Sequence, residues 1–200
     1  GRPGEFMPAY EDEHGTYIMN SKDLRAIQHV RQLIDIGVDC LKIEGRTKSH
    51  YYVARTAQAY RRAIDDALAG RDFDMGLMNE LEKLASRGYT EGFYRRHPPG
   101  EFQNYEQGVS KGDYQQFVGE VVDLDAGMLT VSVNNRFALG DRLELMTPEG
   151  NCEFTLTELT GESGEHREVA PGSGHVVKFP LPEAARELHE PGYAMVARYI

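Results

Sequence analysis

The stretch that decides the predicted fold is Val38-Asp39-Cys40-Leu41-Lys42-Ile43-Glu44, in which apolar and charged residues alternate from Leu41 to Glu44. Alternation with a period of two is typical of a β-strand, and the glycine at position 45 predicts that this strand ends in a turn. Apolar residues at helical spacing precede the run and follow it. The sequence therefore predicts a strand between two helices.

The two flanking helices have recognisable ends. The first is predicted from a cap at Ser21 to a stop at Gly37. The second is predicted from a cap at Ser49 to a stop at Gly70. The apolar positions expected to face the core are Leu24, Ile27, Val30, Leu33 and Ile34 in the first helix, and Val53, Thr56, Ala57, Tyr60, Ala63, Ile64, Ala67 and Leu68 in the second. A third helix is predicted near residues 77–87, with Leu77, Leu81 and Leu84 inward.

The order of these elements indicates a parallel sheet. A strand candidate at residues 16–20 precedes the first helix, so that strand, helix, strand and helix follow one another. Parallel strands are normally buried between helices, and two of them cannot form a stable sheet. We therefore expect residues 1–96 to be the C-terminal portion of a (β/α) barrel, namely its last two βα units, with the other strands upstream in a longer chain.

A change in composition separates a second region. Residues 97–112 are rich in Pro, Gly, Gln and Asn without periodicity, which is typical of a linker. Residues 113–200 then predict six short strands, the first two joined by a hairpin turn at Asp125-Ala126-Gly127. The predicted fold class is thus α/β plus all-β, in which residues 113–200 form a small C-terminal β-barrel domain, closed or nearly closed.

Charge and cysteine content restrict the possible partners and compartment. Residues 113–200 contain 15 acidic and 6 basic residues, whereas residues 1–112 contain 17 acidic and 16 basic residues. A polyanion is therefore expected to bind the first region. No apolar run approaches the ~20 residues of a membrane span, which predicts no membrane contact. Only Cys40 and Cys152 occur, so we expect a reducing cytoplasm and no closed metal site built from this chain alone.

Lys42 and Glu44 are the candidate catalytic residues. Alternation places both on one face of the predicted strand, near its carboxyl end, where α/β barrels have their active sites. The following turn adds Arg46 and Lys48 as anion-binding candidates, and Ser49 opens a helix whose first N–H groups attract anions. Two other readings remain open: Lys42 and Glu44 pair with neighbouring barrel strands, or the basic residues form a solvated face.

Other polar residues are expected to be structural or exposed. Arg55, Arg61 and Arg62 are predicted to be surface charges of the second helix. The histidines without a partner at the spacing of a metal site or a catalytic triad are His14, His29 and His50. Serine and zinc hydrolase motifs are absent from the sequence. The many aromatic residues near the basic stretch suit unpaired bases, although packing explains most of them equally well.

Several runs of sequence resemble the collagenase-like peptidase family U thirty-two. They are Met19-Asn20-Ser21-Lys22-Asp23-Leu24, Leu41-Lys42-Ile43-Glu44-Gly45-Arg46-Thr47-Lys48-Ser49 and Arg87-Gly88-Tyr89-Thr90-Glu91-Gly92-Phe93. Matches at residues 2–5, 103–106, 116–120 and 143–148 extend the similarity over nearly the whole chain. Within the family, the chain is most similar to bacterial proteins that hydroxylate tRNA. Lys22, in the first of these runs, is a further anion-binding candidate.

The resemblance implies an enzyme that uses prephenate to hydroxylate the wobble uridine of tRNA to 5-hydroxyuridine, the first step toward 5-carboxymethoxyuridine. It implies tRNA, prephenate and the upstream part of the same protein as partners, and this part alone is expected to be inactive. It also implies a 4Fe–4S iron–sulfur cluster held by upstream cysteines, so no cofactor is expected to be ligated within this chain. The alternative function is a peptidase, or a non-catalytic scaffold, of the same superfamily.

Overall fold

The computed structural model describes residues 10–12, 15–17, 23–46, 48–84, 89–92, 94, 115–188 and 191–200. The chain divides into two compact units. The first comprises Gly1–Lys42 and Ala59–Ser110, and the second comprises Ile43–Gln58 and Lys111–Ile200. The linker predicted at residues 97–112 lies outside the described residues.

The first unit combines short strands with helices. Its strands are an antiparallel pair, β1 (Tyr10–Asp12) and β2 (Gly15–Tyr17), and a parallel pair, β3 (Asp23–Leu24) and β4 (Tyr89–Thr90). Its helices are α1 (Val30–Asp35), which follows a 3₁₀ turn at Ile27–His29, the second half of α2 (His50–Leu68), and α3 (Gly76–Glu82). Strand β2 overlaps the start of the strand predicted at residues 16–20. The parallel pair β3–β4 agrees with the predicted α/β class.

The first predicted helix begins later than the sequence indicated. Its helical turns start at Ile27, and Leu24 instead lies in β3 with 62% of its surface exposed. The reason is the parallel partner β4, which bonds to the segment that would otherwise open the helix. Ile27 and Val30 are buried as predicted, and Gly37 ends the helix at a φ of +87°. The predicted cap Ser21 lies outside the described residues.

The strand predicted at residues 38–44 is not formed. A strand is held by hydrogen bonds to a neighbouring strand, and none of the strands in the described part of the chain pairs with this segment. Leu41 and Ile43 are nevertheless partly buried, whereas Lys42 and Glu44 are exposed. The predicted alternation therefore persists in a segment that has no strand ladder.

The second and third predicted helices are confirmed. Helix α2 spans 19 residues, and the Ser49 Oγ accepts a hydrogen bond from the Tyr52 backbone N–H at 3.2 Å, as expected of an N-cap. Its buried face is rotated relative to the predicted stripe. Residues of that stripe that are buried are Thr56, Ala63 and Ala67, and those that are exposed are Val53, Ala57 and Leu68. The predicted core residues of α3 and the turn after it are all buried: Leu77, Leu81 and Leu84.

The second unit is built on one antiparallel sheet. Its strands are β5 (Gln115–Asp125), β6 (Met128–Val133), β8 (Arg142–Thr147), β9 (Gly150–Thr155), β10 (Thr160–Gly161), β12 (Val176–Pro180) and β13 (Met195–Tyr199). They lie in the order β10–β12–β6–β5–β13–β8–β9. A separate antiparallel pair is formed by β7 (Phe137–Ala138) and β11 (Val169–Ala170). The prediction of an all-β second region is confirmed for the described residues.

Among the described strands the sheet is open, so the β-barrel predicted for this region, closed or nearly closed, is not confirmed. Closure requires the two outermost strands to pair, but β10 and β9 lie at opposite edges of the sheet among the described strands. The predicted hairpin between β5 and β6 is confirmed. Its turn has φ values of 48° at Ala126 and 78° at Gly127, the two positive values that a type I′ turn requires.

One hydrophobic core stabilises the second unit. Along β6, buried residues alternate with partly exposed ones, which is the pattern of a sheet with one face on a core. Completely buried core side chains are Val118, Leu129, Val131, Phe137, Leu143, Leu145, Leu159, Ala170, Val177, Phe179 and Val196. The sheet therefore supplies a fixed frame against which the first half of α2, in the same unit, can be held.

Candidate functional site

The turn that leads into α2 carries three of the predicted anion-binding residues. The Lys48 N–H donates to the Gly45 carbonyl at 2.9 Å, which closes the turn. Gly45 has no side chain, and a Cβ there would lie 2.5 Å from Cγ2 of Val53, so a larger residue would force this turn away from the helix. The Lys48 Nζ lies 4.8 Å from the centroid of the Tyr52 ring, a cation–π contact.

These predicted site residues differ in accessibility. Lys42, Glu44 and Arg46 are exposed, and Lys48 is partly buried. Ser49 is exposed and its hydroxyl oxygen caps α2, so part of its hydrogen-bonding capacity serves the helix itself. Chain continuity brings Arg46, Lys48 and Ser49 to the start of α2. The remaining anion-binding candidate, at position 22, lies outside the described residues.

The second unit also contains a buried polar network that the sequence did not indicate. Arg55 is 2% exposed, and its Nη1 donates to Oε1 of Glu144 at 3.0 Å. A second guanidinium nitrogen donates to the other oxygen of that carboxylate, and to Oε1 of Gln115 at 2.8 Å. The Tyr51 hydroxyl donates to the same Gln115 oxygen at 3.1 Å. The first half of α2 is thus fixed to β5 and β8 by a paired charge.

The ionisation of this network is set by competition between burial and pairing. Burial of the Arg55 guanidinium by itself would lower its pKa, but the hydrogen bonds and negative charge of Glu144, with help from Tyr51, raise the pKa above its ordinary value. Arg55 therefore stays charged and requires its carboxylate partner. Because both terminal nitrogens of the guanidinium donate to side chains of β5 and β8, the network holds the first half of α2 on the sheet.

The prediction that Arg55 is a surface charge is wrong. The signal that reveals its burial is the spacing of four between Tyr51, Arg55 and Ala59, which all lie on the buried face. By contrast, Arg61 and Arg62 are exposed as predicted, and they pair with carboxylates on the helix and just after it.

His50, in the first turn of α2, also has a partner. Its Nε2 lies 2.6 Å from Oε1 of Glu120, and its ring meets that of Phe117 edge-on at 5.0 Å. The next residue, Tyr51, stacks on the same Phe117 ring, with the centroids 5.5 Å apart. The aromatic residues at the start of α2 are therefore explained by packing within this unit.

The first unit contains a buried histidine cluster. His29 is 4% exposed, its Nε2 lies 3.0 Å from Oε2 of Glu91, and its Nδ1 lies 3.0 Å from Oε1 of Gln32. The ring of Tyr94 stacks on the imidazole, with the centroids 5.4 Å apart and the planes at 16°. Spacing could not reveal this cluster, because 62 residues separate His29 from Glu91.

The described residues include no group of three or more His, Cys, Asp or Glu side chains that could hold a metal ion. Cys40 is exposed, and Cys152 is partly buried; burial and the charge of Glu144 raise the pKa of the Cys152 thiol. The iron–sulfur cluster implied by the resemblance therefore finds no fitting ligand set in the described part of this chain. In the same residues, no helix has the length and apolar character needed to cross a membrane.

The described residues define a mixed α/β protein that is mostly sheet. The chain belongs to peptidase family U32: the description "Peptidase family U32" matches residues 3–104, and "Peptidase family U32 C-terminal domain" matches residues 113–189. The resemblance inferred from the sequence runs is confirmed.

Two of the relatives to which the chain is similar share one name with each other. The chain is 58% identical over 98% of its length to "tRNA hydroxylation protein P" of Escherichia coli and 56% identical over 91% to the protein of that name in Haemophilus influenzae. It spans 43% and 40% of the length of these relatives. A crystal structure of the C-terminal domain of a Geobacillus thermoleovorans putative U32 peptidase is 28% identical, covers 42% of this chain and 93% of that chain, and has a TM-score of 0.37.

Proposed function

We propose that this chain is part of a cytoplasmic enzyme that uses prephenate to hydroxylate the wobble uridine of tRNA to 5-hydroxyuridine. The observation that carries the proposal is the similarity, over 98% of the chain, to a protein named for tRNA hydroxylation. The proposal extends to the whole protein, because the chain spans less than half of such relatives.

The distribution of charge supports contact of RNA with the first region of the chain. Residues 1–112 have nearly balanced charges, whereas residues 113–200 have an excess of acidic residues. Binding of a phosphate backbone depends on cations that release condensed counterions, so an acidic surface opposes it. We therefore assign the grip on tRNA to the first region and to cations near the start of α2.

In this function, Arg46, Lys48 and Ser49 bind an anion, either a tRNA phosphate or a carboxylate of prephenate. Arg46 is exposed, and its planar fork can donate two parallel hydrogen bonds to one carboxylate or phosphate. The first N–H groups of α2 add positive potential at the same place. Lys22 is proposed as a further anion-binding residue of this chain.

Lys42 and Glu44 are the proposed catalytic residues of this chain. Lys42 is exposed and can donate hydrogen bonds to a substrate oxygen that gains negative charge. Glu44, also exposed, accepts a hydrogen bond from a substrate hydroxyl or orients a neighbouring cation. An iron–sulfur cluster is proposed to be ligated by upstream cysteines. The described residues contain no ligand set for such a cluster, so Lys42 and Glu44 are assigned no role in binding it.

A peptidase is the second candidate, and the family description favours it. The two functions make different demands on the same cations. A hydroxylase that binds tRNA and prephenate requires Arg46 and Lys42 for anion binding, whereas peptide cleavage has no general need for either.

The test uses the full-length protein, undermodified tRNA and prephenate. Losing a charge-assisted contact costs about 1.5–3 kcal/mol, so Arg46→Lys and Lys42→Met should each lower hydroxylation roughly ten- to a hundredfold. The control is Arg62→Lys, an exposed arginine of α2 that pairs with Asp74, and it should keep full activity. Unchanged hydroxylation in both site variants would contradict the assigned roles. Peptide cleavage without hydroxylation by the unaltered protein would favour the second candidate.

A further inference from the structure

The parallel strands β3 and β4 end at a feature that the proposed site does not use. Asp23 pairs with Tyr89 and Leu24 with Thr90, and the Arg25 N–H extends the ladder to the Thr90 carbonyl at 2.9 Å. Both strands therefore point their carboxyl ends the same way. In α/β sheets, ligands bind beyond the carboxyl ends of parallel strands. The residues just beyond these ends are the histidine cluster described above.

A tight turn holds this cluster in place. The Gly92 N–H donates to the Thr90 Oγ1 at 3.1 Å, and the Tyr94 N–H donates to the Glu91 carbonyl at 3.3 Å. Gly92 has a φ of +57°, and a Cβ there would lie 2.8 Å from Cδ1 of Leu24. This backbone favours glycine, and a larger residue would require the Leu24 side chain to shift, so Gly92 helps to place Glu91 and Tyr94 on either side of the turn.

In this cluster the His29 imidazole is held in place and stacks against the Tyr94 ring. The Glu91 carboxylate lies at hydrogen-bonding distance from Nε2 of His29, which sets the orientation of the imidazole. The imidazole plane supports the inner face of Tyr94, almost parallel to it. Tyr94 itself is 46% exposed, although large aromatic side chains usually bury most of their surface. One face of the Tyr94 ring is therefore packed on His29, while a large part of the residue's surface remains accessible to solvent.

We propose that Tyr94, backed by His29 and Glu91, is a stacking platform for an unpaired nucleobase of the RNA substrate. This inference rests on the proposed function, since it takes tRNA as the substrate. Proteins bind unpaired bases by stacking them on aromatic side chains, and a ring that is already ordered loses little freedom when a base arrives. The charges of the first region are also nearly balanced, whereas residues 113–200 are strongly acidic, so a nucleic acid meets less repulsion in the first region.

The test uses the full-length protein and two RNA probes: undermodified tRNA, and a single-stranded oligoribonucleotide with a central 2-aminopurine, whose fluorescence is quenched by stacking. Tyr94→Leu removes the aromatic face and should weaken oligonucleotide binding roughly tenfold or more, with loss of quenching. Tyr94→Phe keeps the face and should retain both binding and quenching. The control is Tyr193→Leu, at a tyrosine that is 87% exposed in the acidic second unit, and it should behave like the unaltered protein.

The possible outcomes separate this inference from the proposed function. Quenching and affinity that are unchanged in Tyr94→Leu, in a protein that still hydroxylates tRNA, would overturn the platform alone. An equal loss in Tyr94→Phe and Tyr94→Leu would also overturn it, because stacking does not need the hydroxyl group. If the unaltered protein neither binds nor hydroxylates tRNA, the proposed function fails, and the platform fails with it.

Discussion

Replacing Arg55 by methionine tests how the buried ion pair stabilises the second unit. Methionine fills a similar space without charge, so the change leaves the Glu144 carboxylate, 5% exposed, without its guanidinium partner. Removing one member of a buried pair costs about 3–5 kcal/mol, because the other charge stays desolvated. We expect the free energy of unfolding to fall by that amount. Arg55→Met/Glu144→Gln should recover much of the loss, because the charge is removed while an acceptor remains for Gln115.

The matched control lies on the same helix. Arg61 pairs with Asp65 one turn away, but both side chains are more than half exposed, at 59% and 56%. An exposed pair of this kind contributes about 0.3–0.5 kcal/mol, so Arg61→Met should have a small effect. Urea unfolding of the three variants gives the required free energies, provided that the slope of the free energy of unfolding against urea concentration is the same for all of them. The reasoning is refuted if Arg55→Met costs no more than Arg61→Met, or if the double variant is no more stable than Arg55→Met.

Two further predictions concern titration and thiol reactivity. Burial raises the pKa of Tyr60, so the folded state keeps this proton where the unfolded state loses it. The contribution of Tyr60 to the free energy of unfolding should therefore be constant below about pH 10 and fall as the pH rises further. Urea unfolding across this pH range should show a shallower decline in stability for Tyr60→Phe than for the unaltered protein. An identical decline in both proteins would contradict the raised pKa. Burial and Glu144 raise the pKa of the Cys152 thiol, whereas Cys40 is exposed. Iodoacetamide at mildly alkaline pH, followed by peptide mass spectrometry, should therefore label Cys40 first, and equal rates would count against this explanation.

Local sequence signals predicted the helices and hairpin well. The spacing of apolar residues and the capping serine indicate α2 in the sequence. A helix can be predicted from such local signals because its backbone hydrogen bonds are made within the same segment. The hairpin between β5 and β6 was likewise set by a local turn. The strand predicted at residues 38–44 does not form for the opposite reason. The backbone hydrogen bonds of a strand are made with a neighbouring strand, and the residue pattern of one segment does not show whether such a neighbour is present.

Some functional residues could not be predicted because their partners lie far away in the sequence. Arg55 looked like a surface charge because its partner Glu144 lies 89 residues away, and His29 looked isolated because Glu91 lies 62 residues away. Charge type alone does not reveal a buried pair, since arginine is mostly exposed in proteins. The cations around position 46 were identified from motif and local spacing, and their roles stay a prediction.

The proposed function requires the full-length protein to hydroxylate tRNA. The most direct measurement is mass spectrometry of tRNA nucleosides from cells that lack the full-length gene, with and without the gene restored. The account predicts that 5-hydroxyuridine and 5-carboxymethoxyuridine disappear without the gene and return with it. An unchanged nucleoside profile, together with altered peptide turnover, would contradict the account and favour a peptidase.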